Sequence, residues 1–305
     1  MTAYVGRRLG QALLTLFAVS VVLFLLMKLF PGDPGWILQG RGATQATAAE
    51  IDAMLGLNLP WPVQYLKWLQ QLVAGGFSGV LGTLPPTLLM VALGGGLGLL
   101  LAVLLASVQA RRRGRLVDDV LTIASLVVYA LPCFFVALLL WEIFGLNLGW
   151  VPLVPAGMPP GAQTFGGWLL AMIIPTVAIA FTVISSWSMH LRAAFEEAMH
   201  ADFVRTARAK GLPERLVLRR HVLRSGLLPL LAIIGLTLPA LLTNVIVLQI
   251  WFSSWSIGQL LIGALQERAN GILMDGVLVV GVVVVLVNLV VDVLAAFSDP
   301  RVRFQ

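Results

Sequence analysis

Six runs of about 20 predominantly apolar residues decide what this chain can fold into. They lie at 9–30, 84–108, 120–144, 168–189, 227–252 and 276–297, and a helix of that length crosses the roughly 30 Å of hydrocarbon in a bilayer. Of the 305 residues, 59% are hydrophobic and 11% charged, against about 25% charged in a soluble domain. So few polar side chains do not cover a water-facing surface. That argues against a soluble enzyme and, despite a net charge of +6, against a nucleic-acid module. The expectation is an all-α polytopic membrane protein with six transmembrane helices in the lipid bilayer.

The second run carries Gly94, Gly95, Gly96 and Gly98, small residues that let helix backbones approach closely in lipid. Kinks are expected at Pro132, Pro175 and Pro239, where neighbouring helices re-satisfy freed backbone groups. Arg7 and Arg8 precede the first run, but its apolar stretch exceeds the about 7–15 residues of a signal peptide. It is read as a retained helix.

Under a six-span reading, Arg7, Arg8, the clusters at 111–115 and 192–224, Arg301 and Arg303 all fall on one side. That side holds 16 of the 20 Lys and Arg residues; the other holds Lys28, Arg41, Lys67 and Arg268. The positive-inside rule then makes both termini cytoplasmic, in a multi-pass protein of the cell (inner) membrane. An odd span count would break the partition.

The segments on the extracytoplasmic side are uneven. Residues 31–83 open with Pro31-Gly32-Asp33-Pro34 and hold an amphipathic stretch at 63–72, whereas residues 145–167 are uncharged and contain Pro152, Pro155, Pro159 and Pro160. The chain is divided into a first helix with its extracytoplasmic segment (1–83), a five-helix core (84–298) and a cytoplasmic tail (299–305).

The most informative cytoplasmic stretch, 190–226, reads HLRAAFEEAMHADFVRTARAKGLPERLVLRRHVLRSG. Phe195, Met199, Phe203, Ala207 and Gly211 recur at every fourth residue, a spacing that builds one continuous row along a helix. Glu196, Asp202, Arg205 and Arg208 lie opposite. At Gly211-Leu212-Pro213 the glycine ends a helix and the proline can open the next. The pattern predicts helix, sharp turn, helix, with Ala207, Ala209 and Gly211 at the bend. An amphipathic helix on an anionic leaflet and a docking element for a cytosolic protein both fit; mixed charge and small residues favour docking.

The run Asp202-Phe203-Val204-Arg205-Thr206-Ala207-Arg208-Ala209-Lys210-Gly211-Leu212 resembles the cytoplasmic-loop signature of inner-membrane permeases in binding-protein-dependent ABC importers, and more narrowly the dipeptide/oligopeptide permease family. Weaker matches extend along nearly the whole chain. They are Arg7-Arg8, Pro31-Gly32-Asp33-Pro34, Leu57-Asn58-Leu59-Pro60 with Gln64-Tyr65, His221 through Pro229, Asn288, Asp292 and Asp299-Pro300-Arg301-Val302-Arg303. The resemblance implies a type I ABC importer permease fold and a transport subunit rather than an enzyme. It also implies a second permease subunit, two ATP-binding subunits or domains, and an extracytoplasmic substrate-binding protein. The coupling loop at 191–225 would seat its short helix in a groove of an ATP-binding subunit through Asp202, Phe203, Arg205, Thr206, Ala207, Ala209, Lys210, Gly211 and Leu212. By position, Arg205, Thr206 and Ala207 replace the general Glu-Ala-Ala, Gly211 is the family's glycine, and His221 stands at a usually aliphatic place. Arg205 is expected to make the main polar contact. Peptides are the implied cargo, with nickel chelates or glutathione as alternatives. Three outer-side departures bear on cargo more than class: a short stretch between Gly79 and Leu84, Trp255-Ser256-Ile257-Gly258 in place of a Pro-Gly pair, and Gln266-Glu267-Arg268 in place of an Asp-containing loop.

Asn288 and Asp292 share a face of the last run. An intramembrane ionisable group is a functional candidate by default, yet Asp292 lies close to the cytosolic end, where it can pair with a loop arginine. Asn244 and Gln249 either line a path for polar cargo or bond between helices. Lys28 is expected to snorkel outward, Glu142 to be interfacial, and Trp141, Trp150, Trp168, Trp251 and Trp255 to form an outer belt. Ser185 and Ser186 near His190 lack a base-orienting group. No GxxxxGK[ST] phosphate loop is present, so energy must come from a partner. A lone cysteine, Cys133, makes no internal disulfide or cysteine-based metal site, and neither a metal nor another cofactor is expected. The rival reading, an ion-coupled secondary transporter, calls for polar groups at mid-membrane, where they are sparse.

Overall fold

The computed structural model describes residues 2–29, 56, 58–151, 165–252 and 256–298. In chain order its main elements are α1 (Thr2–Leu29), α2 (Trp61–Gln71), α3 (Leu84–Arg111), α4 (Leu116–Ala130), α5 (Cys133–Leu140), α6 (Ile173–His200), α7 (Asp202–Ala209), α8 (Glu214–Val217), α9 (Leu223–Phe252), α10 (Ile257–Gln266) and α11 (Asn270–Ser298). Short helical turns join several of them, and no strand occurs among the described residues. The Pro31-Gly32-Asp33-Pro34 motif, the prolines at 152–160, Trp255 and the 299–303 match lie outside the described residues.

Among the described residues, five continuous helices are long and apolar enough to span a bilayer, in α1, α3, α6, α9 and α11. The run at 120–144 differs: α4 and the helix from Cys133 to Asn147 meet at a bend of 102°. Leu131 is extended (ψ 132) and Pro132 (φ −60, ψ 138) caps α5, because proline drives its predecessor out of the α region and offers no N–H. The other two prolines do less. Pro175 stands in the first turn of α6, where N–H groups have no intrahelical partner anyway, and α9 runs through Pro229 and Pro239 as one helix.

α3 and α6 form the closest pair. Met90, Gly94, Gly98, Ala102, Ala106 and Ala110 recur every fourth residue and are all buried. A Cβ at Gly98 would stand 2.2 Å from Val183 Cγ2, and one at Gly94 2.6 Å from Ile179 Cγ2, whereas Gly96 faces open space. Trp187 Nε1 donates to Thr237 Oγ1 at 3.1 Å, joining α6 to α9.

The amphipathic stretch forms α2, a strap across the ends of α1 and α11. Trp68 and Leu72 pack against Phe24 and Leu278, the hydroxyls of Ser20 and Tyr65 lie 2.8 Å apart, and Trp68 Nε1 donates to Asp275 Oδ1 at 2.9 Å. Lys28 turns onto this strap, donating to the Gln64 carboxamide oxygen and lying over the Phe24 ring, rather than reaching freely to headgroups. Leu13, Phe17, Val120, Ile123 and Leu236 are exposed on the outside, an apolar exterior suited to lipid.

Candidate functional site

α6 runs on past its apolar stretch to His200, and there Ala201 turns extended (φ −69, ψ 150) before α7 begins. The continuous row expected from Phe195 to Gly211 is therefore not formed. Phe195 is buried, Phe203 is 44% exposed, and Val204 and Ala207 form the buried face of α7. One extended residue rotates the second helix against the first, and no periodicity in the sequence records it.

The bend after α7 forms where the glycine predicted it. Gly211 adopts φ +74; its N–H donates to the Arg208 carbonyl at 2.9 Å, and the Leu212 N–H donates to that of Ala207 at 3.3 Å. This bond pair is a Schellman cap, which needs a left-handed residue at the glycine position. Pro213 (φ −63, ψ 142) then caps α8, whose Val217 is fully buried. Arg208 grips Glu214 across the turn, Nη2 to Oε1 at 2.7 Å and Nε to Oε2 at 3.2 Å. These hydrogen bonds hold the Glu214 carboxyl below the usual glutamate range and raise the Arg208 guanidinium above its own.

With Ala207 and Val204 turned inward and Leu212 half-buried, the rest of the signature faces out: Asp202, Phe203, Arg205, Thr206, Ala209, Lys210 and Gly211 are exposed. Arg205 lies 3.7 Å from Asp202 with both side chains largely in solvent, a pairing too weak to hold either back from another partner. A Cβ at Gly211 would meet nothing within 4 Å. The elbow thus offers an outward surface of mixed charge, anchored beneath by Val204, Ala207 and Val217.

Sequence reasoning missed what fixes the root of this elbow. Arg192 Nη2 donates to Asp118 Oδ2 at 2.8 Å, Nη1 to Thr122 Oγ1 at 2.8 Å, and Nε to Glu196 Oε1 at 3.1 Å. Asp118 is 1% exposed. Asp118 and Thr122 lie 74 and 70 positions from Arg192, and a single sequence carries no signal for such a pairing.

The intramembrane candidates separate into packing and open groups. Gln249 is fully buried; its Nε2 donates to Thr87 Oγ1 at 2.9 Å and its Oε1 accepts from the Gly258 N–H at 3.3 Å, tying α9 to α3 and α10. Asn244 is half-buried. Asp292 Oδ2 lies 3.2 Å from Arg8 Nη1, so its arginine comes from α1 rather than from a loop. Asn288 lines the cleft beside that pair with Gln11 and Thr15, and its Oδ1 is buried without a hydrogen-bond partner. His190 Nδ1 lies 2.7 Å from the Ser186 carbonyl oxygen, so this ring nitrogen engages backbone rather than a serine hydroxyl. Glu142, Trp150 and Trp251 are exposed and Trp141 half-buried.

Residues 94–304 match the family described as Binding-protein-dependent transport system inner membrane component, and residues 1–88 match the one described as Binding-prot-dependent transport system membrane comp, N-term. Over 315 residues the chain is 30% identical to a probable peptide ABC transporter permease protein of Sinorhizobium fredii, with both chains covered in full. It is 32% identical over 319 residues to a putative peptide permease protein of Brucella suis, covering 99% of each. It is also 30% identical over 318 residues, again the full length of both, to an oligopeptide transport system permease protein of Bacillus subtilis.

Proposed function

The chain belongs to the family of binding-protein-dependent transport system inner-membrane components, and from that premise we propose that it is the peptide-conducting permease subunit of an ATP-driven importer. As a multi-pass ABC permease it works with other transporter components. In our reading these are a second permease, two ATP-binding subunits or domains, and an extracytoplasmic substrate-binding protein. The translocation pathway forms between the two permeases. Relatives of full-length similarity named as peptide permeases support peptides as cargo. The asymmetry of basic residues supports an inner membrane with both termini cytoplasmic.

The observation that carries the reading is the elbow. Its signature residues are exposed on α7 and the following turn, while Val204 and Ala207 are buried beneath. We assign α7 as the coupling helix within the 191–225 loop, received by a groove of an ATP-binding subunit. Nucleotide-driven closure then moves α7 as a rigid body and α6 with it. Arg205 is the leading polar contact, next to Asp202, Thr206 and Lys210. The 1–83 segment and the 299–305 tail flank the five-helix core at 84–298.

Gly211→Trp tests this directly. A Cβ there meets open space in this chain. Apart from the strain that the left-handed φ of +74 puts on any side chain, the added bulk therefore obstructs a partner rather than the packing of the turn. The expected result is membrane insertion close to wild type with loss of the co-purified ATP-binding subunit. Unchanged co-purification sinks the docking assignment.

A further inference from the structure

Asp118 stands in the first turn of α4, and its Oδ2 accepts from Arg192 Nη2 at 2.8 Å and from the Gly114 N–H at 3.1 Å. Arg192 occupies the end of α6 that leads into the elbow. Its Nη1 and Nε reach Thr122 and Glu196. Gln109, near the end of α3, donates Nε2 to Thr122 Oγ1 at 3.1 Å, and Arg113 approaches Glu196 at 3.5 Å. One guanidinium therefore joins α6 to α4 directly, and through Thr122 to α3.

Two details set this junction apart from an ordinary surface pair. The Asp118 side chain is only 2% exposed, so its charge is poorly screened and depends on its partner. Arg192 also spreads its donors over three acceptors, leaving Asp118 Oδ1 buried without a hydrogen bond. A bidentate fork would satisfy both carboxylate oxygens; here Asp118 receives a single donor from Arg192. α4 leads from this junction to the 102° bend at 131–132.

We infer that Arg192 and Asp118 are positioning residues for transport: the ion pair between buried Asp118 and part-buried Arg192 passes displacement of α7 through α6 into α4 and the bent span. The inference rests on the coupling reading of the elbow and names the joint by which that motion enters the membrane. Neither residue touches cargo or nucleotide in this scheme.

The test uses the assembled transporter in lipid vesicles, with the binding protein purified from the native source and carrying its own cargo. The double variant Asp118→Asn/Arg192→Gln removes both charges while keeping side chains able to hydrogen-bond, and so leaves no lone buried charge. Arg192→Lys keeps the charge but loses the planar three-way reach. Membrane level, recovery of the ATP-binding subunit, and ATP hydrolysis with and without the binding protein are measured. The expected outcome is near wild-type level and recovery, with stimulation by binding protein falling about tenfold in the double variant and about threefold in Arg192→Lys, within the usual span of coupling factors. Undiminished stimulation in the double variant overturns the inference. Loss of membrane level in both variants also overturns it, because the pair is then a folding element. A wild-type chain that recovers no ATP-binding subunit removes the coupling reading itself, and the inference with it.

Discussion

Gly98 shows how much one absent methyl group decides in lipid, where helices gain little from burying apolar surface and rely on close contact. Its Cβ would fall 2.2 Å from Val183, so Gly98→Val overpacks the α3–α6 seam and is expected to cost about 1–3 kcal/mol. Gly96→Ala, in open space, is expected to change little; thermal unfolding of the two variants in one detergent separates them. The cluster of glycines was visible in the sequence, but which two bear the contact was not, because that depends on how α3 is rotated against α6. Gln249 shows the same limit. Its polarity marked it as special, yet only the neighbours Thr87 and Gly258 make it a packing residue. At Glu214, the lowered carboxyl pKa sets the sign of a pH effect. The Arg208 fork contributes fully above the ordinary glutamate value of 4.5 and is lost as pH falls through the lowered one. Hydrogen exchange in α7 and α8, corrected for intrinsic rate, is therefore expected to be flat from about pH 6 to 8 and to rise only in acid, below about pH 4.

At the scale of elements, α7 and its turn were readable because glycine and proline punctuate helices for local reasons. The left-handed Gly211 (φ +74) makes a separable prediction. Gly211→Ala strains the cap by about 1 kcal/mol and is expected to loosen α7 in hydrogen exchange while the ATP-binding subunit still co-purifies. Gly211→Trp is expected to lose it. Equal loss in both variants points to the fold of the turn rather than to its surface. The extended Ala201 and the break at Leu131 were less legible. Pro132 announced a kink, but hydropathy counts apolar length and does not register direction, so the run read as one kinked span rather than as two helices meeting at 102°. Non-helical backbone at membrane depth persists only where protein or water covers it, which makes 131–132 a place for protein or water rather than for lipid.

For the whole molecule, the apolar runs carried the all-α, multi-span architecture, since they follow from the bilayer rather than from any specific contact. The strap α2 was foreseen as an amphipathic stretch, although its anchors Ser20 and Asp275 were not, because they come from helices at opposite ends of the chain. The proposed sidedness is open to labelling in a Cys133→Ala background. A membrane-impermeant thiol reagent is expected to reach Glu267→Cys in intact cells and Arg112→Cys only after the membrane is opened. The reverse pattern inverts the topology, and labelling of both from outside breaks the six-span count.

The most direct single measurement is purification of the tagged chain from its native membranes in mild detergent, with identification of every protein and small molecule retained. Recovery of ATP-binding subunits, a second permease and a binding protein holding peptide is the predicted result. A chain that emerges alone, under conditions gentle enough to keep known membrane complexes intact, contradicts it.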